Sequence, residues 1–165
     1  MSYQIADEPH ETSLARYVVR PGVPMMAAMV AGTWLAWPWF AFNAIAMGSP
    51  TKKKEIALVV AAFVGTAVLG ATVIALVNGG YLPDGVPMRF AILAIAAFKL
   101  GMTYYLFTVQ ERTFHVYQYY GGQVRNAAPV LSGGYYLRRL VLALSDDPLW
   151  IIIVAGSALS IAVGR

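Results

Sequence analysis

The chain of 165 residues contains no cysteine, which excludes disulfides, thiolate metal sites and cysteine nucleophiles. Charge is scarce too, at 12% of residues, where a soluble domain carries about 25%. Acidic residues number eight against twelve basic ones. Histidine occurs only as His10 and His115, and His10 sits in a polar N-terminal stretch, so haem between two helical histidines is excluded within one chain. No HExxH, GxSxG, P-loop or GxGxxG pattern is present. There is no long repeat, no low-complexity tract and no sustained alternation of the kind a β-barrel needs. Nothing here implies a cofactor or a metal.

What is abundant is apolar sequence, 59% of the chain, gathered into four runs. They cover 23–47, 56–77, 90–109 and 148–164, and a spanning helix needs about 20 such residues. The expected fold is an all-α integral membrane bundle of about four hydrophobic segments plus an interfacial helix. A polar tail, 1–22, precedes a single membrane domain, 23–165. Asp7, Glu8 and Glu11 give that tail the wrong charge for a signal peptide, and a short surface helix is expected near Ser13 to Val19.

The first run carries Trp34, Trp37-Pro38-Trp39 and Phe40 near its centre. Proline removes a backbone hydrogen bond, and tryptophan prefers the interface. Two readings follow: a spanning helix kinked at Pro38, or a re-entrant hairpin that turns near Pro38, with Asn43 on the returning limb. The fourth run is short, but Asp147 and Pro148 suit a helix cap and first turn. Gln110 to Tyr120 reads as an extension of the third helix, stopped at Gly121-Gly122. Tyr135 to Leu144, with Arg138 and Arg139 among leucines, reads as the interfacial helix.

Basic residues set the expected orientation. Lys52, Lys53 and Lys54 and the 110–147 segment, with Arg112, Arg125, Arg138 and Arg139, are expected on the cytoplasmic side of a bacterial membrane. The connector from Asn78 to Pro87 faces outward. Lipid headgroups explain these charges and the net charge of +4, without a nucleic-acid partner.

Lys99 stands near the middle of the third run, where an uncompensated charge costs about 2.5–3.5 kcal/mol on insertion scales. At helical spacing Lys99, Thr103, Gln110, Thr113 and Tyr117 share one face. That polar stripe either lines a permeation path or binding site, or Lys99 merely packs against helix-end carbonyls or a partner subunit. Glu111 and His115 lie one turn apart. They offer an acid/base pair or two metal ligands, but a surface i, i+4 pair accounts for them more simply. Asp146 and Asp147 are similarly explained by capping. The tyrosines, including Tyr104, Tyr119 and Tyr135, suit an aromatic belt.

Small residues recur every fourth position: Ala28, Gly32 and Ala36; Ala62, Thr66 and Gly70; Gly156, Ser160 and Gly164. Such faces let backbones approach closely, and packing drives helix association in lipid. Four helices have too little interior to bury them all, so some contact between chains is expected.

Pro38, Asn43, Gly48-Ser49-Pro50 and Lys52-Lys53-Lys54, followed by a second spanning run, resemble uncharacterised small bacterial multi-pass membrane proteins. Their first hydrophobic segment carries a central proline and ends in an Asn-, Gly- and Lys-rich turn. Gly121-Gly122 after a charged helix end is similar. The resemblance implies no activity and no cofactor. The sequence thus points to a non-enzymatic structural or accessory subunit, with a membrane-protein partner or its own copies. The alternatives are a small oligomeric transporter or channel using the Lys99 stripe, and a lipid-handling membrane enzyme using Lys99, Glu111, Arg112 and His115.

Overall fold

Two helices in the computed structural model are long and apolar enough to cross a membrane, α3 (Lys52–Asn78) and α4 (Val86–Tyr119). At 1.5 Å per residue they extend about 40 and 50 Å, beyond the ~30 Å of a hydrocarbon layer. The structure describes residues 12–155, and these contain six α-helices, one 3-10 turn at Ala15–Tyr17, and no strand. The other helices are α1 (Gly22–Val30), α2 (Thr33–Ala46), α5 (Ala128–Leu142) and α6 (Pro148–Val154). Of the expected packing residues, Gly156, Ser160 and Gly164 lie outside the described range.

The first apolar run is broken, and the break is not at Pro38. It falls at Ala31-Gly32, where Gly32 takes φ 118°, a conformation that a Cβ disfavours. Pro38 stays inside α2, with its side exposed. Val19, ahead of α1, exchanges two hydrogen bonds with Asn43, near the end of α2, at 2.9 and 3.0 Å. The chain therefore leaves from and returns to one level, and α1 and α2 form a helical hairpin with Gly32 at its tip. Asn43 does stand on the returning limb.

The base of this hairpin gathers several chain segments. Thr12 Oγ1 donates to Ala46 O at 2.5 Å, Arg125 N to Val18 O at 2.8 Å, and Tyr117 Oη to Ala15 O at 3.3 Å. The end of α4 and the approach to α5 are thus fixed at the hairpin's base. As the sequence suggests, α4 continues past its apolar run and stops at Gly121, φ 80°.

Helix α5 begins at Ala128, earlier than the expected Tyr135, and rises along α1. Gly134 lies against Ala31 and Leu35, and Arg138 Nη1 donates to Val30 O at 3.4 Å. Arg125 therefore sits at the base of the hairpin and Arg138 beside its tip. The 110–147 segment thus follows the hairpin from its base to its tip. Helix α6 starts with Asp147 as its cap, the carboxylate accepting from Leu149 N at 2.7 Å. It then lies against α3 at Gly70.

Two of the small-residue faces are used within the chain. Ala28, Ala36 and Ala62 belong to one apolar core with Trp37 and Phe40. Gly32 and Thr66 are buried. A Cβ on Gly70 would stand 3.0 Å from both Ile152 Cγ2 and Leu149 Cδ1. Alanine there is absorbed by small side-chain movements. Gly70→Leu overfills the contact, and its unfolding midpoint in detergent should fall by the equivalent of about 2 kcal/mol.

The distribution of polarity is inverted. Asn43 and Glu55 have no exposed surface, and Lys99 retains 2%. Meanwhile Val60, Val64 and Val68 on α3, and Phe90, Leu93 and Leu100 on α4, face outward. In water-soluble folds a buried polar group or a large exposed apolar face is the exception that needs a reason. Here both occur along the same two helices.

Candidate functional site

The buried face of α4 carries Lys99, Thr103, Gln110, Thr113 and Tyr117, the five residues of the expected stripe. They do not form one site. Their partners divide them into three groups along the helix.

At the upper group, Lys99 meets the end of α6. An α-helix leaves its last four carbonyls without N–H partners. Here those four belong to Ile152, Ile153, Val154 and Ala155. Lys99 Nζ donates to Ile152 O at 2.7 Å, to Ile153 O at 3.3 Å and to Ala155 O. Thr33 Oγ1, at the tip of the first hairpin, donates to Ile153 O at 2.7 Å and Val154 O at 3.4 Å. Two side chains from distant parts of the chain thus complete the helix terminus. A cation is favoured there because the carbonyl end of a helix carries partial negative charge. Just below, Trp37 Nε1 donates to Thr103 Oγ1 at 3.0 Å, and that hydroxyl donates to Lys99 O at 2.8 Å. Phe63 meets the Trp37 ring edge to face at 4.8 Å.

The middle group is a directed hydrogen-bond chain. Val19 N–H donates to Asn43 Oδ1, which leaves Asn43 Nδ2 to donate to Val19 O and to Gln110 Oε1, the latter at 2.9 Å. Gln110 Nε2 must then donate, and does so to Phe40 O at 2.9 Å and Glu55 Oε2 at 2.8 Å. The other oxygen of Glu55 accepts from Ser49 Oγ at 2.6 Å and Thr51 Oγ1 at 2.9 Å. Both carboxylate oxygens act only as acceptors. The chain ties the N-terminal segment, α2, α4 and the start of α3 together. No buried side-chain polar atom among the described residues lacks a partner.

The third group is Tyr117, whose hydroxyl also reaches Gln123 O at 3.1 Å, with Thr113 buried one turn before it. Glu111 and His115 form a surface pair at 3.5 Å, with the histidine 69% exposed. No cluster of three or more His, Asp or Glu gathers around them or elsewhere among the described residues.

Thr33, Trp37, Ser49 and Glu55 escape a reading of the sequence. Glu55 follows three lysines and looks like a solvated headgroup neighbour. Only the 55-residue separation that Gln110 closes reveals it as interior. A weak signal exists for Ser49 and Thr51, hydroxyls close ahead of a carboxylate at a helix start.

No family model, curated protein or solved structure matches this chain.

Proposed function

We propose that this chain is an integral membrane protein of structural or accessory type. In this reading its interior polar groups hold broken helices in place, and its outer surface meets lipid and a membrane partner or further copies of itself. The observation that carries the proposal is the inversion of polarity along α3 and α4: Glu55, Lys99 and Gln110 inward, Val64, Val68, Phe90 and Leu93 outward. Hydrocarbon is the solvent that such a surface suits, and it demands that interior backbone and side-chain groups find partners within the protein.

Engagement of every buried polar side-chain atom among the described residues favours a scaffold over a site kept open for chemistry. A contact with another chain gains no support from the small-residue faces of α1–α2 and α3, which are consumed internally. It gains some from α4, where Ala97 and Gly101 are exposed one turn apart and a Cβ on Gly101 would meet nothing within 4 Å.

The protein should remain with membranes through alkaline washing and leave only with detergent. Release into buffer as a folded globule would overturn the membrane reading. Gentle extraction should yield a defined oligomer or a stoichiometric partner, and Gly101→Leu should shift it toward the lone chain while that chain stays folded. A wild-type chain that runs as a single copy would remove the subunit reading.

A transporter or channel is the second reading, favoured by one observation. The hairpin tip at Gly32 and the end of α6 meet beside Lys99, and transporter sites are built where discontinuous helices end. Flux in liposomes that is lost in Lys99→Leu would support it, and the absence of flux in the wild type would dismiss it.

A further inference from the structure

We propose that the carbonyl end of α6 is a binding site for a monovalent cation, and that Lys99 occupies it as a cation tethered to the fold. Three carbonyl oxygens, those of Ile152, Ile153 and Ala155, converge on the single nitrogen of Lys99. The side chain is 2% exposed, so bulk solvent contributes little to its solvation. No carboxylate among the described residues pairs with the ammonium. Its charge is balanced by neutral dipoles: the three carbonyls and the end of the helix itself.

That donor set defines the class of ligand. Neutral oxygens with no anionic partner suit an alkali ion or a primary ammonium, as rings of backbone carbonyls do in ion-selective pores. Divalent ions are disfavoured, because their sites use carboxylates to offset the second charge. Part of the site is held by groups other than Lys99. Thr33 holds Ile153 O and Val154 O from the opposite side, and Gly70 seats Ile152 against α3. Removing the occupant therefore loosens Ala155 O, while Ile152 and Ile153 keep these contacts, and a returning cation restores the set.

Lys99→Ala in the full-length protein, purified in detergent, tests this directly. The substitution leaves a vacancy the length of propylammonium. Thermal unfolding is followed in sodium, potassium, propylammonium and tetramethylammonium chlorides at equal ionic strength. Propylammonium or one of the alkali ions should raise the midpoint by about 4 °C once it is at roughly tenfold its dissociation constant. Tetramethylammonium, which is bulky and has no N–H, should leave it unchanged, as should every salt with the wild type. Equal response to all four salts, or the same response in the wild type, overturns the proposal. If Lys99→Ala does not fold, Lys99→Gln replaces it. Its amide is one atom shorter, still donates to a carbonyl, and leaves room for a small ion. A flat cation series in that variant overturns the proposal as well.

Discussion

Lys99→Leu is expected to lower the unfolding midpoint by about 10 °C, the equivalent of about 4 kcal/mol in a chain of this size. Leucine fills much of the stem's volume, so packing is not the cause. The loss arises at α6, where, among the described residues, Ile152 O and Ala155 O have Lys99 as their donor and Ile153 O keeps only Thr33. Each buried carbonyl left without a partner costs about 1–3 kcal/mol. Relief from burying the ammonium offsets part of that sum, which is why the net value falls below the gross one. The damage should also be local. Limited proteolysis should cut first around residues 145–155, while the α3–α4 pair resists. A variant as stable and as protease-resistant as the wild type would mean that α6 is held by other contacts.

Gln110→Leu should be comparably severe, for a different reason. Its amide serves Asn43, Phe40 and Glu55 at once. Leucine strands one proton of the Asn43 amide and one oxygen of a carboxylate that has no exposed surface, while Phe40 O keeps its intrahelical donor. The expected loss is about 3–5 kcal/mol, from about 1–3 kcal/mol for each buried group left unpartnered and more for a charged one. The sign of coupling separates this from a simple packing defect. Adding Asn43→Leu to Gln110→Leu should cost less than the two single losses together, by at least about 1 kcal/mol, because the groups share one network. Strict additivity in denaturation measurements would show that the two amides act independently.

Much of the helical layout was legible in the residues. The runs at 56–77 and 90–109 became α3 and α4, the stop at Gly121 and the Asp147 cap were placed, and the Lys99 face emerged intact on one side of α4. Periodicity and capping are local, so they are written locally. The destination of that face was not. Whether Lys99 met a ligand, a partner or a helix end depended on the last carbonyls of α6, 53 residues or more away in sequence. The hairpin turn was misplaced for a related reason. Pro38 is the conspicuous helix breaker, yet a helix tolerates it on an exposed side near its first turns, whereas Gly32 alone permits the backbone reversal. Glu55 illustrates the same limit, since composition marks a carboxylate among lysines as surface and only distant hydroxyl and amide groups make it interior.

The first hairpin also dictates an order of events during synthesis. Its polar groups bond to residues made much later: Asn43 to Gln110, Trp37 to Thr103, and Thr33 to Ile153, 120 positions downstream. The segment that leaves the ribosome early therefore matures late, waiting half-solvated until the remainder arrives. Ribosome-bound chains ending before residue 99 should leave a probe at Thr33 accessible to water, and only the finished polypeptide should shield it.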